Sequence, residues 1–121
     1  AGALYNYTPD KQSLLFGLLQ RHMQDLLEAR AARGQSGDAM AQLQEFTRFH
    51  IRFNLDRADA VFISYMELRN LSPENFAAIE HLRRQYEDGL ETILRQGVQS
   101  GMFDVPDPKI ATMAVISMLN G

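Results

Sequence analysis

His22, His50 and His81 are the side chains of this 121-residue sequence whose ordinary pKa lies nearest neutrality, and the chain has no cysteine. No two of these histidines stand three or four residues apart, so they cannot pair on one helix turn as metal-binding histidines do. Without thiolates the common structural zinc sets are missing as well. No serine stands in a Gly-x-Ser-x-Gly elbow, and no glycine-rich loop is spaced to cradle a phosphate. Glu45, Glu67, Glu80 and Glu87 fall in helical segments, where solvated faces and ion pairs account for them without acid–base chemistry. The expectation is a protein that is not an enzyme, with no catalytic residue, no metal and no cofactor.

The side chains that could do a different chemistry, the binding of a small molecule, are mostly aromatic. Phe46, Phe49, His50 and Phe53 recur at spacings of three and four, so they share one face of a helix. Phe62, Tyr65 and Met66 from the next segment and Tyr86 from a later one can complete an apolar box with a few polar tips, the usual make-up of a ligand pocket. The same stripe also builds an ordinary core, and both readings stay open at this point. Arg48, Arg52, Arg83 and Arg84 are candidates to hold an anionic group, with Arg52 on the helix that bears the phenylalanines.

Helices must position these residues, and their starts are legible. Thr8-Pro9, Ser72-Pro73 and Asp107-Pro108 each put a capping side chain before a proline, which has no N–H to leave unpaired in a first turn. From Pro9 the stripe Leu15, Leu18, Leu19, Met23, Leu26 and Leu27 predicts a helix to about Ala31, broken by Arg33-Gly34-Gln35-Ser36-Gly37. Asp38 can cap the second helix, which is interrupted at Asn54 to Asp59. A short third helix carries Phe62, Tyr65, Met66 and Arg69 on one side, with Val61 and Ile63 elsewhere. The fourth and longest runs from Pro73 to about Ser100 along Phe76, Ile79, Leu82, Tyr86, Leu90, Ile93, Leu94 and Val98, with Gly101 as its stop. The segment from Pro108 to Leu119 is apolar nearly all round, which predicts a helix buried on more than one side. No strand alternation, internal repeat or low-complexity run appears. The reading is all-α.

Composition narrows the class. The formal charge of −3 argues against broad, charge-driven binding of nucleic acid, although a small basic surface fits within an acidic whole. A chain of this length buries roughly two-thirds of its unfolded surface, so it needs no covalent staple. The run from Ile110 to Leu119 is far short of the ~20 residues of a membrane span, and no membrane partner is expected. The opening Ala1-Gly2-Ala3 has neither an initiator Met nor a signal-peptide pattern, which reads as a fragment of a cytoplasmic protein.

The segment Gly2-Ala3-Leu4-Tyr5-Asn6-Tyr7-Thr8-Pro9-Asp10-Lys11-Gln12-Ser13-Leu14-Leu15 resembles the signature of TetR-family bacterial regulators at the junction of the recognition helix with the next helix. Thr8 stands where that family usually has Phe. The long helix after Lys11, the shorter helices, and the long helix introduced by Leu71-Ser72-Pro73-Glu74 and closed by Gly101-Met102-Phe103 are similar to its ligand-binding domain. The resemblance implies a TetR-like helical bundle truncated at both ends. Residues 1–8 would be the end of an incomplete helix-turn-helix DNA-binding domain, and residues 9–121 an effector-binding and dimerisation domain lacking its final helix. It implies DNA contacts from Ala3, Tyr5, Asn6, Tyr7 and Lys11 in the intact protein only, with Tyr and Lys on phosphate and Ala3 close to a base edge. It further implies a homodimer, a repressor released from a palindromic operator, and a small apolar effector bound among Phe46, Phe49, His50, Phe53, Phe62, Tyr65, Met66, Tyr86 and Arg52. The run Met66 to Glu74 resembles members that respond to acyl-CoA thioesters, which makes an acyl-CoA one candidate effector. A helical protein-interaction module, using the apolar segment after Pro108 and binding neither DNA nor ligand, is the alternative.

Overall fold

The computed structural model describes residues 8–120, and within them every regular element is helical. Helix α1 spans Pro9–Ala32, α2 Ala39–Leu55, α3 Ala58–Glu67, α4 Pro73–Gln99 and α5 Pro108–Asn120, with a single 3-10 turn, Leu68–Asn70, between α3 and α4. Of the residues assigned to DNA contact, Ala3, Tyr5, Asn6 and Tyr7 lie outside the described residues. Lys11 is exposed in the first turn of α1.

The proposed helix starts are present in atomic detail. Thr8 Oγ1 accepts from the Lys11 amide, Asp38 from the Ala41 amide and Ser72 Oγ from the Asn75 amide. Asp107 Oδ1 accepts from the amides of Lys109 and Ile110. At the far end of α4, Gly101 takes φ +76°, and the amides of Gly101 and Met102 bond back to Val98 and Gly97 in a Schellman closure. Gly97 itself has no room for a side chain, because the Phe103 ring lies against its Cα and so folds the α4–α5 connection onto the helix.

Helix α4, about 40 Å long at ~1.5 Å per residue, is the spine. It packs against α1, α2 and α5, and the core forms where their stripes meet: Leu19, Phe46, Leu90 and Ile93 at the centre, with Leu15, Leu26, Phe49, Phe53, Ile79, Leu94 and Ile116 around them. Gln12 ties the start of α1 to the entry of α4. Its Oε1 accepts from the Ser72 amide at 3.1 Å and from Asn75 Nδ2, and its Nε2 donates to the Asn70 carbonyl. Gln12→Ala leaves these part-buried groups without their partner and is expected to lower stability by ~1–2 kcal/mol in urea denaturation. A loss within error of zero would show that solvent replaces the clasp.

Two expectations need correction. Helix α3 is rotated from the reading from sequence: Phe62 and Met66 are 63% and 58% exposed, while Ile63, and Leu68 in the 3-10 turn that follows, pack toward the core and Tyr65 keeps only an edge toward the interior. This helix is apolar on several sides, so its own pattern does not choose a face, and its neighbours do. Helix α5 buries Thr112 and Ile116 but leaves Ile110, Met113 and Met118 exposed in the single chain, so it is covered on one side only. No helix among the described residues is long and apolar enough to cross a membrane.

Candidate functional site

The five described α-helices converge on one cavity of about 220 Å³. Leu19, His22, Met23 and Leu26 of α1 form one wall, and His50 and Asn54 of α2 the next. Val61, Ser64 and Tyr65 of α3 with Leu68 close a third side, and α4 supplies Ile79, Arg83, Tyr86 and Glu87. Ile116 and Asn120 of α5 complete the lining. Most of these walls are apolar, with the polar groups few and specific, as in a small-molecule site.

A hydrogen-bonded cluster organises one side. Nδ1 of His50 lies 2.7 Å from the Tyr86 hydroxyl, and its Nε2 lies 2.6 Å from Asn120 Oδ1 and 3.0 Å from the Asn54 amide. In the tautomer with Nε2–H, Tyr86 donates to Nδ1, Nε2–H donates to Asn120 Oδ1, and the Asn54 side-chain amide faces Nε2–H with its oxygen. Burial holds the His50 imidazole neutral by pushing its pKa down, against the Asn120 contact, which raises it. Burial also pushes the Tyr86 phenol well up, so it stays protonated and remains a donor. The result joins α2, α4 and the end of α5 through one imidazole.

His22, on the opposite wall, is buried, and its pKa is lowered first by desolvation and then by the nearby Arg57 charge. Its Nδ1 is buried without a hydrogen-bond partner. The charges at the cavity are paired or crowded: Arg83 binds Glu80 at 3.0 Å, and the Glu87 carboxyl is pushed up by burial against the opposing pull of Arg83.

The neutral histidines give the fold a pH dependence. An unfolded histidine has the higher pKa, near 6.5, so below that pH the unfolded chain binds more protons than the folded one. Stability is therefore full above about pH 6.5 and falls as the pH drops, by at most ~1.4 kcal/mol per pH unit for each imidazole. Thermal melts are expected to fall between pH 7.5 and 6.0, and to fall less in His22→Gln. A midpoint that holds constant across this range in the wild type would contradict buried, neutral imidazoles.

Of the residues singled out from sequence for ligand contact, the structure brings His50, Tyr65 and Tyr86 to the cavity. Phe46, Phe49 and Phe53 do not line it. They lie behind it in the core, with the Phe46 ring 5.1 Å from that of Tyr86. Phe62 and Met66 are on the exposed side of α3, and Arg52 is exposed on α2 away from the lining. His22, Asn54, Ser64, Glu87 and Asn120 are polar lining residues that the sequence reading did not assign to ligand contact. His22 carried a usable signal, a polar residue at helical spacing from Leu15, Leu19 and Leu26. Asn54 lies one turn beyond His50 on the same face, whereas nothing local marks Asn120.

The family model described as tetracyclin repressor-like, C-terminal domain, matches residues 36–121. The chain belongs to this family. Among solved structures it is similar to a TetR family transcriptional regulator, PfmR, from Thermus thermophilus, with a TM-score of 0.84 and 30% identity over 98% of this chain and 65% of that one. A bacterial regulatory protein of the TetR family from Rhodococcus RHA1 gives a TM-score of 0.85 and 27% identity over 91% of this chain and 58% of the other. The chain thus spans less than two-thirds of the length of either. A comparison with curated proteins finds no match.

Proposed function

We propose that the chain is the effector-sensing part of a ligand-responsive, DNA-binding transcriptional regulator that acts as a homodimeric repressor. The observation that carries this reading is the cavity itself. It is walled by the five described helices and is mostly apolar, with polar side chains such as His22, His50 and Asn54 among its lining. Family membership and the solved relatives support the regulatory role. In this reading the helix-turn-helix domain precedes α1, with Ala3, Tyr5, Asn6, Tyr7 and Lys11 at the DNA. The exposed apolar side of α5 meets a second copy, and two recognition helices face successive major grooves of a palindromic operator, about 34 Å apart.

Coupling runs through α1, which lines the cavity with Leu19, His22, Met23 and Leu26 and is clasped near its start by Gln12 to the entry of α4. An occupant shifts DNA binding only by its differential affinity for the two conformers. The effector is a small, largely apolar molecule. An acyl-CoA thioester could place only its acyl chain in about 220 Å³, and Arg52 is exposed on α2 and is not among the lining residues. The test is binding of the full-length protein to the DNA upstream of its own gene, at fixed near-physiological salt with nonspecific competitor. Saturable binding confined to one palindromic fragment is expected. A folded protein that binds no fragment above competitor, but captures another protein through α5, would be the interaction module instead.

A further inference from the structure

A second concave surface lies apart from the cavity, at the corner where α1 ends and α2 begins. It is a cleft of about 280 Å³, with Arg30 and Arg33 of the α1 end on one side and Glu45 and Arg48 of α2 on the other. Its lining shares no residue with that of the cavity, so its chemistry is independent of the effector reading.

Three guanidinium groups share one carboxylate there. Glu45 Oε1 accepts from Arg33 Nε at 2.8 Å and from Arg33 Nη2. The Glu45 carboxyl is held below its ordinary pKa first by this hydrogen bond and then, against desolvation, by the charges of Arg33, Arg30 and Arg48, which sets all three cations around one point. Arg30 and Arg48 enter no ion pair among the described residues. Three guanidinium charges against one carboxylate leave the lining at a formal +2, in a chain whose total is −3.

Helix chemistry accounts for part of this. Cations suit the carbonyl end of α1, which explains the sign of Arg30 and Arg33. It explains neither Arg48, from the third turn of α2, nor the fixed setting of Arg30, whose guanidinium lies over the Phe46 and Phe49 rings at 5.3 and 5.9 Å. The Nη1 of Arg30 is covered, so this residue acts through its field, while the exposed Arg33 and Arg48 can reach an occupant. The cleft is about 33 Å from Lys11 along α1 at ~1.5 Å per residue, so it is no extension of the DNA-contact surface assigned to the start of that helix.

We infer that this cleft binds a small phosphate monoester, with the Arg33 and Arg48 guanidinium groups on its oxygens and Arg30 as a fixed neighbouring charge. A dianion matches the excess charge of the lining, which a neutral ligand would leave as it was. Phosphate concentrates that charge on oxygens around a single centre, suited to guanidinium forks reaching in from two helices, and Gln35, Ser36 and Gln44 add neutral side-chain donors to the lining. A dicarboxylate has to spread the same charge over two separate groups. Glu45 is the one lining group that opposes the ligand. The cleft is open, so binding weakens as salt rises.

The test titrates phenyl phosphate, phenyl sulfate and phthalate into the full-length protein by calorimetry, at pH 7.5 and low, fixed salt, where the phosphate monoester is a dianion. One saturable phenyl phosphate site per chain is expected, at least about five-fold tighter than for either other probe. Arg48→Gln should weaken it by at least about five-fold, whereas Arg21→Gln, which removes an exposed α1 charge outside the cleft, should change it by less than about two-fold. Glu45→Gln should tighten it, because the opposing charge is gone and Arg33 is released. If Glu45 and Arg33 only braced the corner, that variant would bind no more tightly than the wild type. Unchanged melting temperatures show that the variants keep the fold. No saturable binding of phenyl phosphate to the folded protein overturns the inference. So do equal binding of phenyl sulfate or phthalate, equal effects of Arg48→Gln and Arg21→Gln, or a Glu45→Gln protein that binds no more tightly.

Discussion

Phe46→Ala is expected to cost about 3–5 kcal/mol, a large share of the ~5–15 kcal/mol that holds a domain together. The side chain is fully buried, its ring packs on those of Tyr86 and His50 at 5.1 and 6.2 Å, and the Arg30 guanidinium lies over its face at 5.3 Å. Removing it deletes the support behind the His50–Tyr86 pair and leaves a void that α2 and α4, both anchored along their lengths, can only partly close. Phe46→Leu keeps most of the volume and should cost far less. Urea denaturation of the two variants measures the difference. A loss below about 1 kcal/mol for Phe46→Ala would mean that the ring is not part of the core and would return it to the pocket.

Gly97→Ala carries the second large effect, and its sign opposes helix propensity. In the interior of α4 an alanine should gain up to ~1 kcal/mol over glycine. A Cβ built on Gly97, however, would overlap the Phe103 ring at Cδ2, Cε2 and Cγ. The Phe103 amide is bonded to the Gly97 carbonyl at 2.9 Å, so the ring cannot retreat without loosening the Schellman closure. A net loss of ~1–3 kcal/mol is expected. Gly89→Ala is the control, since nothing lies within 4 Å of its built Cβ, and it should gain ~0.5–1 kcal/mol. Combining Gly97→Ala with Phe103→Ala should recover part of the loss, because the two changes share one contact. If Gly97→Ala stabilised the protein as Gly89→Ala does, the packing of the α4–α5 connection would be wrong.

The helices were legible because their ends carry local chemistry. A capping side chain before proline, at Thr8, Ser72 and Asp107, states where the backbone can begin to coil whatever surrounds it. The inward faces of α2 and α4 were legible for a related reason: each has one apolar stripe and a charged remainder. Helix α3 lacks that contrast. Its apolar residues wrap the helix, so the choice between Phe62 and Ile63 as the inward side was made by contacts with α1 and α2 that no window of sequence contains.

The cavity divides along the same line. The α2 stripe located the right helix, but a stripe does not say which of its members stand in front of a cavity and which behind it. His50 lines it and Phe46 does not, one turn away on the same face. Asn120 illustrates the limit, because its place beside His50 exists only once α5 has folded back over α2, and 70 residues separate the pair in sequence.

The central claim is that occupancy of this cavity is linked to DNA binding, and one measurement addresses it most directly. The affinity of the full-length protein for its operator fragment is measured at fixed salt, with and without a saturating compound chosen only because it raises the melting temperature of this domain. The account predicts that DNA affinity falls by about 5- to 150-fold, and that DNA weakens binding of the compound by the same factor, as linkage requires. An operator affinity identical in the presence and absence of the bound compound would contradict it.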